Sequence, residues 1–305
     1  MLAVRELTKR YGDRTVVDGL TFTVEPGRVT GFLGPNGAGK TTTMRVLLGL
    51  AAATSGEALV DGRAYRDLPR PALRVGAVLP SGPAHPGRSA RAHLRAKAAS
   101  VGVPRDRVEE VLEQAGLAGA AGRRVGGYSL GMRQRLGVAD ALLGDPGVLL
   151  FDEPVNGLDL DGVRWMRGLM RRMAGEGRTV FVSSHLMSEM EAVADHLVVV
   201  GRGRLITDAP LSEVIGAWSR THVEVRTPDT GSLGECLAAL GPRVRVEAGA
   251  GLLRVFGPSA AEVGDLAHGA GVRVHGLLTR EASLEQAYLE LTGGAVEFAS
   301  AEGAR

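Results

Sequence analysis

Cysteine occurs once in the 305 residues, at Cys236, so no disulfide can close within the chain and a reducing compartment is expected. Aromatic residues supply only 4% of a sequence that is 44% hydrophobic, which leaves the core to Val, Leu and Ala. No stretch approaches about 18 uninterrupted apolar residues, and the opening Met1-Leu2-Ala3-Val4-Arg5-Glu6 is charged almost at once. A soluble chain without a spanning helix or signal core is the expectation. A large excess of one charge is also missing: the net charge is +2, so no global field favours nucleic acid as a partner. Lysine is scarce, with Lys9, Lys40 and Lys97 the only lysines among 36 basic residues. Residues 61–107 are locally basic, and a solvated face is the ordinary reading of that run, slightly ahead of a partner-binding face.

What is present is a pattern of strands alternating with helices. Val16, Leu20, Phe22 and Val24 interleave with polar positions before a Pro26-Gly27 turn. Val29 to Leu33, Val148 to Phe151, Val180 to Val182 and Leu197 to Val200 are short apolar runs separated by helical stretches, which predicts an α/β fold with a largely parallel sheet. The texture changes near residue 218, giving a boundary between domains at 1–217 and 218–305. The second part predicts strand 223–226, helix 231–240, strands 243–248 and 251–256, helix 259–269, strand 272–277 and a helix over 283–291. That β-α-β-β-α-β order is ferredoxin-like, an α+β domain.

Three strand ends carry the chemistry. Gly34-Pro35-Asn36-Gly37-Ala38-Gly39-Lys40-Thr41 fits G-x-x-x-x-G-K-S/T between a strand and a helix. Glycines let backbone N–H groups turn inward around phosphate, and the helix N-terminus adds partial positive charge. Lys40 is placed to reach the β and γ phosphates of ATP, the Thr41 hydroxyl to ligate Mg²⁺, and Thr42 to donate to phosphate. Leu149-Leu150-Phe151-Asp152-Glu153 is an apolar strand ending in two carboxylates: Asp152 as a second Mg²⁺ ligand, Glu153 as the group that polarises the attacking water. His185 ends the next strand in Ser183-Ser184-His185, aimed at the same edge. Tyr11, in Thr8-Lys9-Arg10-Tyr11-Gly12, is either a turn tyrosine or a stacking surface for adenine.

Together these residues resemble the ATP-binding subunits of ABC transporters, and the element that separates them from other P-loop ATPases is Tyr128-Ser129-Leu130-Gly131-Met132. It is similar to the family's L-S-G-G-Q signature, with the serine and second glycine kept. The resemblance covers residues 1 to about 217 and implies a P-loop fold with a helical subdomain. It also implies a head-to-tail homodimer with two ATP at the interface, in which Ser129 and Gly131 of one copy contact ATP on the other. Asn156-Gly157-Leu158-Asp159 resembles the D-loop, with Asp159 crossing the interface. It further implies ATP hydrolysis coupled to a separate membrane permease, at the cytoplasmic face of the membrane. His85-Pro86-Gly87-Arg88-Ser89-Ala90-Arg91 and the extra C-terminal domain look like the drug- and peptide-antibiotic export branch.

The sequence departs from the family at two places. Leu130 replaces the signature's first glycine and Met132 its last residue. The glutamine that ligates Mg²⁺ in the family falls at Pro80, which has no polar side chain, and no glutamine precedes Gln114. The rival readings are a soluble ABC ATPase of translation or repair, which lacks support from any second cassette or coiled-coil insertion here, and a weakly hydrolysing regulatory or immunity protein, motivated by Pro80. Arg88, Arg91 and Arg95 recur at i, i+3 and i+7, so on a helix begun near Ser89 they share one face. The resemblance makes that face the expected dock for the permease.

Overall fold

The structure is a computed structural model, and it describes residues 1–80, 84–218 and 221–292. The Ala/Gly-rich tail after Thr292 lies outside the described residues. Contacts divide the chain into two compact units, Met1–Leu211 and a second that begins at Ser212.

The first unit opens with a hairpin, β1 (Leu2–Tyr11) and β2 (Arg14–Val24), followed by β3 (Val29–Leu33), α1 (Lys40–Leu47), β4 (Ser55–Val60) and β5 (Val75–Val78). Three helices come next: α2 (Ala90–Val101), α3 (Asp106–Gln114) and α4 (Leu130–Leu142). The chain then returns through β6 (Val148–Asp152), α5 (Leu160–Gly175), β7 (Thr179–Ser184), α6 (Met187–Glu191), β8 (His196–Gly201) and β9 (Arg204–Pro210), and α7 (Leu211–Trp218) starts at the unit's boundary and falls in the second unit.

These strands form two sheets. The three-stranded sheet β2-β1-β4 is antiparallel; the six-stranded sheet β5-β6-β7-β3-β8-β9 is parallel except for β9 at its edge. Val29–Leu33, Val148–Asp152 and Thr179–Ser184 are buried at every residue, as central parallel strands covered on both faces require. Leu2, Val4, Leu7 and Phe22 of the small sheet share a core with Phe32, Met44, Leu47, Phe181 and Val198. The scarce aromatics concentrate there: Phe22, Phe32 and Phe181 lie with ring centroids 5.0–5.6 Å apart and tie β2 to β3 and β7. Because β6, β7 and β3 are parallel neighbours, their C-terminal ends come out on one edge. Asp152 is in register with Ser183, and Leu33 with Ser184.

Helices α2, α3 and α4 pack on one another through Ala90, Leu94, Ala98, Val108, Val111, Leu112 and Leu136, making the expected helical subdomain. Ser89 caps α2, its hydroxyl accepting from the Ala92 N–H at 3.2 Å. Two of the arginines, however, pair on the surface with the next helix. Arg91 makes a bidentate pair with Glu109 of α3 at 2.9 and 3.1 Å, and Arg95 reaches the same carboxylate at 3.2 Å. The Arg91 hydrogen bond holds the Glu109 carboxyl below the usual range. Two of the three arginines expected to face a permease are thus engaged within the subdomain.

In the second unit, β10 (His222–Arg226), α8 (Thr230–Ala238), β11 (Arg245–Gly249), β12 (Leu252–Phe256), α9 (Ala260–Gly269) and β13 (Gly276–Arg280) precede α10 (Leu284–Thr292). The sheet is antiparallel in the order β11-β12-β10-β13, and Leu233, Leu237, Val263 and Ala267 pack from the helices onto Val223, Val225, Leu253 and Val255. The last strand lies later than expected at 272–277. Gly271, at φ 67, ends α9, and the Val272 N–H bonds back to the Ala267 carbonyl at 2.9 Å, so Val272 closes the helix and the strand starts at Gly276.

Candidate active site

The loop from Gly34 to Gly39 joins β3 to α1 and is shaped by its glycines. A Cβ at Gly34 would sit 2.5 Å from the Val200 carbonyl oxygen; one at Gly39, where φ is 101°, would sit 2.8 Å from the Val16 carbonyl oxygen. Only glycine fits these approaches. Asn36, Gly37, Ala38, Gly39, Lys40, Thr41 and Thr42 line a cleft of about 180 Å³ together with Val16 and Glu153. Val16 is an addition to the expected residues, since a valine in a strand sends no chemical signal.

Lys40 is 6% exposed, and its Nζ donates to the carbonyls of Gly34 at 2.6 Å and Pro35 at 3.3 Å. Glu153 Oε1 lies 3.7 Å away. Burial pulls the Lys40 pKa below its ordinary value, against the opposing influence of Glu153 and Asp152. An anion arriving in the cleft therefore meets a buried ammonium held by two carbonyls and one carboxylate.

Asp152 and Glu153 stand side by side on the strand end with different surroundings. Asp152 is 2% exposed; its Oδ1 accepts from the Ser183 hydroxyl at 2.5 Å, while its Oδ2 is buried with no partner. An orphaned carboxylate oxygen of this kind fits a cation ligand. Glu153 sits at φ 51, in the left-handed region. Its N–H donates to the Ser183 Oγ at 3.0 Å, and its Oε2 lies 2.8 Å from His185 Nδ1. The structure thus brings Lys40, Thr41, Thr42, Asp152, Glu153 and His185 to one sheet edge.

Tyr11 stands elsewhere, at the tip of the β1–β2 hairpin, half-exposed, with Lys9 Nζ 4.7 Å from its ring centroid. Ser129 caps α4 by accepting from the Met132 N–H at 3.2 Å, and Asp159 caps α5 by accepting from the Gly162 N–H at 2.8 Å. These two caps belong to one surface. Gly131 approaches Leu158, and a Cβ on Gly157 would come within 2.0 Å of Leu130 Cδ2, so the larger residue at the signature's first glycine covers the glycine of the D-loop. Pro80 follows β5 and is exposed.

A glycine loop with a buried lysine, set beside two carboxylates on the adjoining parallel strand ends, defines a P-loop nucleoside triphosphatase. Residues 17–156 match the family model described as ABC transporter, and residues 221–285 match a domain of unknown function, DUF8746. The bacitracin transport ATP-binding protein BcrA of Bacillus licheniformis is 39% identical over 232 residues, 75% of this chain and 76% of its own. The Nod factor export ATP-binding protein I of Cupriavidus metallidurans is 36% identical over 299 residues, 96% of this chain and 97% of its own. In fold, the solved ATP-binding subunit of an ABC transporter, 24% identical, superposes with a TM-score of 0.66 over 71% of this chain and 92% of that one. The chain belongs to the ABC transporter ATP-binding proteins, ATPases whose hydrolysis is coupled to transport through membrane permeases. Among the described residues, no helix is long and apolar enough to cross a membrane.

Proposed function

We propose that this chain powers export of a drug-like or peptide-antibiotic substrate through a separate permease, docked peripherally at the cytoplasmic face of the membrane. Support for the substrate class comes from the likeness to BcrA and to the Nod factor export protein. The observation that carries hydrolysis is the position of Glu153, whose carboxylate is held between His185 at 2.8 Å and Lys40 at 3.7 Å at the mouth of the phosphate cleft. Residues 1–217 carry the nucleotide chemistry, and 218–305 form an accessory domain.

In this reading the backbone N–H groups of residues 36–42 cradle the phosphates of ATP, and Lys40 leaves the Gly34 and Pro35 carbonyls for the γ-phosphate. Thr41 and the open Oδ2 of Asp152 would hold Mg²⁺, with Pro80 contributing no ligand. Bound there, Mg²⁺ would supply positive charge against the charge developing on the phosphates. Glu153 orients the attacking water, and His185 steers the Glu153 carboxylate through Nδ1 and approaches the γ-phosphate. Tyr11 would offer its ring to the adenine from the hairpin, and Val16 lines the phosphate cleft itself. Ser129, Gly131 and Asp159 supply the opposite half of a site in a second copy, so that a head-to-tail homodimer encloses two ATP.

The test is ATP hydrolysis by the full chain, alone and reconstituted with a candidate membrane permease. Mg²⁺-dependent hydrolysis that the permease stimulates is expected. Lys40→Ala should weaken ATP binding by about 1.5–3 kcal/mol, the range for a hydrogen bond to a charged group. Hydrolysis indifferent to any such membrane protein would refute the transport coupling.

A further inference from the structure

The last residues of a central parallel strand are ordinarily apolar, because both faces of the sheet are covered. Strand β7 ends differently, in Ser183-Ser184, and Ser183 is fully buried. A buried hydroxyl is costly unless it is hydrogen-bonded. Ser183 has one hydrogen to give and gives it to Asp152 Oδ1 at 2.5 Å, while the same oxygen accepts from the Glu153 N–H at 3.0 Å. The parallel register that sets Asp152 opposite Ser183 makes both bonds available to one side chain.

The geometry points to Ser183 as a positioning residue for ATP hydrolysis, one hydroxyl that fixes the metal-binding face of Asp152 and the direction of Glu153 together. With Oδ1 committed to the serine, Oδ2 is left as the open atom of Asp152, and the carboxylate presents a single orientation to a cation. The second bond anchors the Glu153 backbone at φ 51, a region that non-glycine residues avoid. Anchoring that amide sets where the side chain starts, and so where its carboxylate meets His185 Nδ1 and the Lys40 ammonium. Ser184 does something different: its hydroxyl accepts from the Leu186 N–H at 2.9 Å and shapes the turn that carries His185. Ser183 instead joins the Asp152 carboxylate to the Glu153 backbone N–H.

This inference rests on the roles proposed for Asp152 and Glu153, and its test separates the two. In the full chain, Ser183→Ala removes the hydroxyl, while Ser183→Cys keeps the volume but offers a weak donor and a weak acceptor. The readouts are binding of a fluorescent ATP analogue with and without Mg²⁺, the Mg²⁺ dependence and kcat of hydrolysis, and the melting temperature. Both variants should bind the analogue normally without Mg²⁺. Both should lose the gain in affinity that Mg²⁺ brings, need roughly tenfold more Mg²⁺ for half-maximal rate, and lose at least tenfold in kcat, consistent with misplacement of a water-orienting carboxylate. A Cys variant with wild-type Mg²⁺ dependence beside a defective Ala variant would mean that Ser183 only fills space, and the inference fails. So does a Ser183→Ala protein within twofold of wild type in both Mg²⁺ requirement and kcat. Glu153→Gln, measured in parallel, tells this failure apart from the other: if that variant hydrolyses ATP at the normal rate, the reading of Glu153 is what falls.

Discussion

Replacing Glu153 by Gln removes one negative charge and leaves the shape of the side chain in place. In the structure this carboxylate has two duties that pull against each other. It lies 2.8 Å from His185, poised at the cleft mouth, and 3.7 Å from the Lys40 ammonium that must receive the γ-phosphate. Two unit charges about 4 Å apart attract by roughly 4 kcal/mol at an effective dielectric of 20. Desolvation of both groups offsets most of that attraction, so freeing Lys40 should tighten ATP binding by about 1 kcal/mol net, or roughly fivefold. Hydrolysis should move the other way. An amide cannot polarise the water as a carboxylate does, and loss of a positioned general base costs about 10²–10⁴-fold, which is roughly 3–5 kcal/mol in the barrier at about 1.36 kcal/mol per decade. The Glu153→Gln protein should therefore bind ATP at least as tightly as wild type, accumulate as an ATP-bound dimer, and turn over hardly at all. Equilibrium binding, size-exclusion chromatography with ATP and Mg²⁺, and steady-state phosphate release measure the three quantities. Turnover within threefold of wild type would refute the role given to Glu153; weaker ATP binding would refute the argument about Lys40.

Much of this site was legible in the sequence because its signals are local. The P-loop motif fixes residue types at fixed offsets, and the structure explains the glycines by approaches of 2.5 and 2.8 Å to neighbouring carbonyls. Asp152, Glu153 and His185 could be placed at one edge because three apolar runs predict three parallel strands, and parallel strands end together. What stayed hidden depends on partners remote in sequence. Ser183 looks like any polar residue at the end of a strand; only the register with Asp152 turns it into a link between that carboxylate and the Glu153 backbone. The helix after Ser89 was legible, but Arg88 precedes its cap, and nothing in the spacing pointed to Glu109 on the next helix, which takes up Arg91 and Arg95. Asp140 was likewise silent, since a lone acid in the stretch that becomes α4 says nothing of His93 and Lys97 across the subdomain. Val272 misled because an apolar residue after a helix serves equally as the first residue of a strand or as the closing contact of the helix, and its N–H bond to Ala267 decides the matter.

Three further outcomes are expected. Truncation after residue 217 should leave ATP binding within twofold of the full chain, because the nucleotide residues all precede it; a folded truncated protein that no longer binds ATP would contradict the division. Phe181→Ala should cost about 3–5 kcal/mol in urea unfolding, since the ring is fully buried between Phe22 and Phe32; a loss below about 1 kcal/mol would mean that the trio does not hold the two sheets together. The last outcome depends on pH. Burial raises the pKa of Asp140, but hydrogen bonds and charge from His93 and Lys97 outweigh it and hold the carboxyl below its ordinary value. A carboxylate whose pKa is depressed by folding stabilises the native state above its unfolded pKa of about 3.9, and that contribution fades as pH falls through the native value. Asp140→Asn should therefore destabilise the protein by about 2 kcal/mol at pH 7, the scale of a hydrogen bond to a charged group, with the deficit shrinking as pH drops below about 4. Urea unfolding of both proteins across pH 3–8 measures that difference. A gap that is the same at pH 3 as at pH 7 would show that Asp140 acts through shape and not through its charge.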